Sequence, residues 1–283
     1  MRIKWLSILL VAAVLAPAAS AQTIRIKGSA DLLPVMDRWA MAYAREHAGA
    51  KIVALGGGTT LGFTALGAGT ADLVSAERAA TEADLRKLKS APIDVTVGTD
   101  AILFVVNPKN PVKSLTLQQL QDIYSGKITN WSALGGESLP ISAMALDESN
   151  GRSQLVRERV MQGKPFGTMV RRAKSEHDLL AGVWQDRGAI AFSGMALGKD
   201  FPHLAISKEK GSAPYAATAD NIKAGRYPLT HPVRLYANAD PSAAVRDFVA
   251  WTLSPAGQNS VAATGIAPIS AAERDRAKVK IGR

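Results

Sequence analysis

Three short segments carry residue types suited to holding an anion. They are Gly28-Ser29, Gly56-Gly57-Gly58-Thr59-Thr60 and Asn150-Gly151-Arg152, and each stands just before a stretch with helical periodicity. A helix start exposes unpaired N–H groups and the positive end of the helix dipole, so it attracts negative charge without a metal. Ser29, Thr59 and Thr60 add hydroxyl donors and Asn150 an amide, while Gly58 and Gly151 let the backbone approach closely. One such loop is weak evidence, because a Ser before a helix is usually only a cap. Other chemistry has little support. The chain has no Cys, which excludes thiol catalysis, disulfides and Cys-held zinc or iron–sulfur clusters. His47, His177, His203 and His231 lie far apart, with no H-x-x-x-H pair for a metal. No G-x-S-x-G elbow, H-E-x-x-H motif or S-x-x-K set with its S-D-N and K-T-G partners occurs. Ser149 and Ser153 near His177 do not form a triad pattern. We therefore expect no catalytic residue, no metal ligand, no cofactor and no enzyme activity.

The chain has 283 residues, with 34 Lys+Arg against 24 Asp+Glu, a net charge of +10. At 47% hydrophobic and 20% charged residues it is long and apolar enough for one large or two medium folded domains. The basic balance poses the question of nucleic acid, a membrane surface or a small anion as partner. Arg2 and Lys4, the apolar run Trp5 to Leu15, and Ala19-Ser20-Ala21 read as a signal peptide cut after Ala21. Its removal leaves 262 residues and lowers the charge to +8, since Arg2 and Lys4 leave with it. A soluble, exported, periplasmic product is expected, with a secreted one as the other outcome. Later apolar runs have strand length only.

Strands and helices alternate along the chain. Thr23 to Lys27 alternates in polarity, then Leu32, Val35, Met36, Trp39 and Tyr43 recur at helical spacing. Lys51 to Leu55 reads as a strand before the glycine run, and Asp72 to Ser75 as a third. Thr81 to Lys89 reads as a helix. Ala101 to Val106 is continuously apolar, as a fully buried strand is. Further helices are expected at Leu117 to Tyr124, Ser153 to Met161, Ser175 to Gln185, Pro241 to Leu253 and Pro255 to Ala263. Val233 to Tyr236 is a late strand, and the Lys/Arg-rich end from Arg274 reads as a solvated tail or helix end. The pattern is α/β with mainly parallel sheets.

Several of these segments resemble the phosphate-binding proteins of bacterial ABC importers. The most specific is "TDAILFVVNPKNPVKSLTLQQLQDIYSGKITNWSALGG", from Thr99 to Gly136. "IKGSADLLPVMDRWAMAY" is similar to the family's G-S-x-x-L-x-P loop and helix, and "GGGTTLGFTALGAGTADLVSAER" to its second ligand loop and following strand. "RGAIAF" and "VRDFVAWTLSPAGQNSVAATGIAPI" resemble later family segments, in family order. The resemblance implies a type II periplasmic binding-protein fold: two α/β lobes joined by two crossing segments, with the ligand in the cleft between. The lobes would be 22–98 plus 228–283, and 99–227. It implies capture of phosphate or a related oxyanion for an ABC permease. The ligand residues it points to are Ser29, Ala30, Leu33, Gly58, Thr59, Thr60, Glu77, Asn150, Gly151 and Arg152. A monomer without nucleic-acid partners is expected.

Glu77 stands where the family has Asp or Ser. An ionised carboxylate only accepts hydrogen bonds, so it would favour hydrogen phosphate over sulfate. The plainer alternative for Glu77 is a surface ion pair with Arg78 or Lys87. Arg152 replaces the Thr of the family's S-G-T loop and would grip an oxyanion through two hydrogen bonds. The alternative there is a solvent-facing Arg beside Arg157 and Arg159. The family's Arg just before that loop is missing, since Leu146-Asp147-Glu148-Ser149 has two acids instead. Asp31 is either a solvated first-turn acid or a residue that makes the pocket less friendly to anions. The competing functions are a divergent member that binds another anionic ligand or surface without transport, and, further off, a periplasmic hydrolase.

Overall fold

The computed structural model describes residues 23–148 and 150–282. The expected signal peptide, 1–21, lies outside the described residues. Among the described residues, eleven strands are formed by the β-branched and apolar runs: β1 (Thr23–Gly28), β2 (Lys51–Leu55), β3 (Leu73–Ala76), β4 (Ile93–Ala101), β5 (Leu103–Val106), β6 (Ser114–Thr116), β7 (Ser142–Leu146), β8 (Arg171–Ala173), β9 (Ala189–Ser193), β10 (Ala205–Ser207) and β11 (Thr230–Ala237). β2-β1-β3-β11-β4 form one sheet, β5-β9-β7-β8 a second, and β10-β6 a small third.

The sheets are mixed, with parallel pairing more common. β1 runs parallel to β2 and β3, and β7 parallel to β8 and β9. β11 is antiparallel to both β3 and β4, because it returns late in the chain and inserts between them. β5 is antiparallel to β9. The run Ala101 to Val106 is fully buried but is not one strand. Ala101 ends β4 in the first sheet, and Leu103 opens β5 in the second. The chain passes from sheet to sheet at Ile102. Continuous apolarity reports burial, and it cannot tell one sheet from two.

One further expectation changes, and one open alternative is decided. The helix read over Thr81 to Lys89 shrinks to Glu82–Leu85, closed at its start by a Thr81–Asp84 capping box. The basic end is a helix, Ala271–Lys280, with a Ser270–Glu273 capping box and Ala277 buried against the body. The other long helices fall within a few residues of their apolar periodicity: Leu33–Glu46, Leu117–Tyr124, Gly151–Arg159, Glu176–Gln185, Ala243–Thr252 and Pro255–Ala262.

An aromatic cluster explains why the late helices pack onto the first one. Tyr43 meets Phe248 and Trp251 edge-on at 5.2 and 5.3 Å, and Trp39 meets Phe248 at 6.4 Å. The Trp39 indole N–H, fully buried, donates to the Gly257 carbonyl at 3.1 Å. Around the second sheet, Tyr124, Phe104, Phe166 and Phe192 form a corresponding cluster. Among the described residues, no helix is long and apolar enough to cross a membrane.

Candidate functional site

The Gly28-Ser29 pair is dictated by the end of β1. A Cβ on Gly28 would lie 2.0 Å from the Ser75 carbonyl oxygen, so only glycine fits between β1 and β3. The Ser29 N–H then donates to that carbonyl at 2.9 Å. The Ser29 hydroxyl oxygen accepts the Asp31 N–H at 3.3 Å, and the hydroxyl donates to Glu77 Oε2 at 2.6 Å. This caps a 3-10 turn, Ala30–Leu32, ahead of the helix Leu33–Glu46.

The glycine run works differently. Gly58 takes φ +98° and precedes the helix Thr59–Gly67, and no side chain caps that helix start. The Gly58 N–H donates to the Gly28 carbonyl at 2.8 Å, which ties this loop to the first. At the third loop the Asn150 side chain is itself the cap. Its Oδ1 accepts the Arg152 and Ser153 N–H groups at 2.9 and 3.2 Å. Its Nδ2 donates to Asp31 Oδ2 at 3.3 Å, joining the third loop to the first.

The three loops therefore meet around one cleft of about 580 Å³. Ser29, Ala30, Leu33, Gly58, Thr59, Asn150 and Gly151 line it. The other three expected residues do not. Thr60 is exposed, and its hydroxyl oxygen accepts from Arg78 at 2.9 Å. Glu77 and Arg152 lie behind the wall and pair with each other at 2.8 Å. Both surface alternatives fail. Glu77 is 2% exposed, and Arg78 pairs instead with Asp84 at 2.6 Å. Arg152 is 1% exposed and does not face solvent.

Arg152 is the centre of a buried ion network. Its guanidinium contacts Glu77 at 2.8 Å and Asp100 at 3.4 Å, with Asp31 and Glu176 each 3.9 Å from Nε. Gly194 makes room for it, since a Cβ there would sit 2.5 Å from the guanidinium nitrogens. His231 Nε2 lies 3.5 Å from Glu77 Oε1 and 3.8 Å from Asp100 Oδ2. Asp100 Oδ1 accepts the Ala101 and Met195 N–H groups at 2.8 and 3.0 Å. Glu176 Oε1 accepts the Gly194 N–H at 2.8 Å and the Ser193 hydroxyl.

Charge sets the protonation of this network. Burial works to raise the Glu77 carboxyl, but the Arg152 charge, the adjacent His231 and the Ser29 hydroxyl outweigh it and hold it down at about 2. Burial disfavours the charged form of Arg152, and the surrounding carboxylates overcome this and keep it charged. Asp31 goes the other way. Burial and the Glu77 charge push it up to about 7 against the pull of Arg152.

Asp31 is 8% exposed and lines the cleft, so it is not a solvated first-turn acid. Asp37, Asp147 and Glu176 line the cleft too, against Lys174 as the lining lysine. Glu148, from the stretch lacking the expected Arg, pairs outside with Arg157 and Arg172 at 3.4 and 3.0 Å. Sequence reasoning missed Asp100, Glu176, Ser193 and His231. Glu176 follows Ser175 at a helix start and looks like an ordinary first-turn acid. Asp100 stood inside the most specific segment, but nothing local marked it as a partner for position 152.

A family model, the PBP superfamily domain, matches residues 13–256. Protein SphX of Synechococcus elongatus is 30% identical over 260 residues, covering 86% of this chain and 77% of that one. Phosphate-binding protein PstS of Pseudomonas aeruginosa is 25% identical over 276 residues, 90% of this chain and 85% of its own. A putative phosphate ABC transporter substrate-binding protein from Clostridium perfringens, solved with bound phosphate, superposes with a TM-score of 0.79. It is 23% identical and covers 88% of this chain and all (100%) of its own. An ABC-type phosphate transport receptor from Vibrio cholerae gives a TM-score of 0.70 at 25% identity, over 87% and 100% of the two chains. The fold is that of a type II periplasmic binding protein. Matched over most of its length by the family model, and at 30% identity by a relative aligned over most of both chains, the chain belongs to the PBP superfamily.

Proposed function

We propose that this protein is a periplasmic solute-binding protein that captures phosphate or a related oxyanion and delivers it to an ABC permease, with no catalytic role. One observation carries the reading most: the uncapped helix start at Gly58-Thr59 opens onto the cleft where all three predicted loops meet. N–H donors there would bind an oxyanion without a metal. The naming of PstS as a phosphate-binding protein, over most of both chains, supports the same solute. We take 22–98 plus 228–283 and 99–227 as the two lobes, which would close on the ligand and bury it. Two contacts between these segments support the reading: Arg152 to Glu77 and Asn150 to Asp31. Calorimetric titration of refolded, ligand-stripped protein with phosphate and sulfate tests the reading. Phosphate should bind with a Kd of about a micromolar or tighter and be preferred over sulfate. Absence of binding by either anion overturns it.

A further inference from the structure

The helices Leu33–Glu46 and Pro255–Ala262 lie side by side, tied where the buried Trp39 indole donates to the Gly257 carbonyl at 3.1 Å. Their outer faces do not close over this contact. The small Ala42 and Ala256 leave a groove of about 350 Å³ between them. Arg38 and Arg45 line it from the first helix, with Met41 between them and 60% exposed. These three share one face, and the arginines stand two turns, roughly 10 Å, apart along the axis. No carboxylate lines the groove. Among the described residues neither arginine has an ion-pair partner. The adjacent acids are engaged elsewhere, since Asp37 lines the cleft and Glu46 accepts the Trp251 indole N–H at 2.9 Å. Arg45, in the last turn, suits the helix dipole, but Arg38 is mid-helix and gains nothing from it. From the second helix come the exposed Asn259 and Ser260, whose hydroxyl oxygen is buried with no hydrogen-bond partner among the described residues. A buried polar atom left unpaired is costly.

We propose that this groove is a docking site for an acidic amphipathic helix of a partner protein. A furrow between two packed helices is what such a helix lies in, and carboxylates two turns apart on it would meet Arg38 and Arg45 in charge-assisted hydrogen bonds. The apolar side chain between those carboxylates would cover Met41, whose unbranched side chain adapts to what it meets. Asn259 and the unpartnered Ser260 hydroxyl would bond the polar edge of the partner. Arg and Met are enriched where proteins meet, and Lys and Glu are depleted. A neutral or basic segment would leave two guanidiniums without a counter-charge, and a second copy of this face would set Arg against Arg. Leu33, Pro34 and Asp37, at the start of the first helix, line the cleft, so the occupant would rest on the helix that forms the cleft wall. Nothing in this depends on what the cleft holds.

The test measures binding of labelled helical peptides to the full chain by fluorescence anisotropy, at about 0.15 M salt, where charges more than roughly 8 Å apart are screened. One peptide carries two glutamates two turns apart on one face with leucines between them. A second has glutamine at both positions, and a third has its glutamates on opposite faces. The first should bind with a Kd of about 100 µM or tighter, and the other two at least about tenfold more weakly. Arg38→Gln and Arg45→Gln should each remove most of that gap. The paired change Lys208→Gln and Lys210→Gln, which takes charge from exposed residues elsewhere, should leave the affinity within about twofold. Equal affinity for the three peptides, or no binding of any, overturns the proposal. So does an equal loss in the lysine variant, which would reduce the attraction to net charge. Vesicles of anionic phosphatidylglycerol that bind through Arg38 and Arg45 where the first peptide does not would assign the groove to a membrane surface, and overturn it as well.

Discussion

Arg152 holds together residues that would otherwise repel one another. Deleting its guanidinium leaves Glu77, Asp100, Asp31 and Glu176 buried without a fixed counter-charge. Breaking a buried pair in this way costs about 3–5 kcal/mol. Arg152→Ala should therefore lower the urea midpoint strongly. Arg152→Lys should fall between, since an ammonium is a point charge and cannot span Glu77 and Asp100 as a planar fork does. The two extreme carboxyls have opposite pH signs. Glu77, held at about 2 instead of 4.5, contributes stability that is present above 4.5 and lost as pH falls toward 2. Asp31, raised from 3.8 to about 7, binds more protons folded than unfolded, so it weakens the fold as pH rises between those values. Asp31→Asn should remove that decline, stabilising the protein at pH 8 by on the order of 2–4 kcal/mol but hardly at pH 4. Urea unfolding of both proteins across pH 4–8 reads this directly, and parallel curves would contradict it.

The site depends on elements being brought unusually close. The helix Thr59–Gly67 lies over β1, with Gly62 at the contact. A Cβ on Gly62 would come within 2.6 Å of the Lys27 carbonyl oxygen and of Val74 Cγ1. Gly62→Ala should push the helix off the sheet and cost about 1–3 kcal/mol by overpacking. It should also weaken solute binding, because the Gly58-Thr59 start moves with the helix. Stability and affinity measured together check this; loss of neither would show that the helix has slack. Much of this element was legible beforehand. Glycines before an apolar-periodic run marked the helix start, as did Ser29 and Asn150 for theirs. What each cap does was not legible. Asn150 spends its carbonyl oxygen on its own helix and its amide on Asp31, whereas the Gly58 start has no side-chain cap.

At the scale of the molecule, one fold is held by contacts between distant stretches. Trp39 is completely buried, packs on Phe248 and donates to Gly257, 218 positions away. Trp39→Ala should cost about 3–5 kcal/mol, by cavity formation and by leaving the Gly257 carbonyl short of a donor. A thermal or urea melt measures it; a shift of under about 1 kcal/mol would mean that the C-terminal helices dock without this residue. Charge at this scale misleads about the site. The chain carries +10, yet the cleft lining includes Asp31, Asp37, Asp147 and Glu176 against Lys174. The excess lies elsewhere, in part on the helix Ala271–Lys280, where it can steer anions from a distance.

The sequence by itself determined the local units: where helices begin, which faces are apolar, and the order of segments that marks the superfamily. These are set by neighbours within a few residues, through caps, periodicity and glycine's freedom at positive φ. The apolar run through Ile102 already announced burial, though not its division between two sheets. Only the tertiary structure decided the charge of the site. Positions 31, 77, 100, 152, 176 and 231 share no local pattern, and folding brings them together where water is excluded. There each group's protonation depends on the others, so a carboxyl that would be an ordinary first-turn acid in isolation is driven up to about 7.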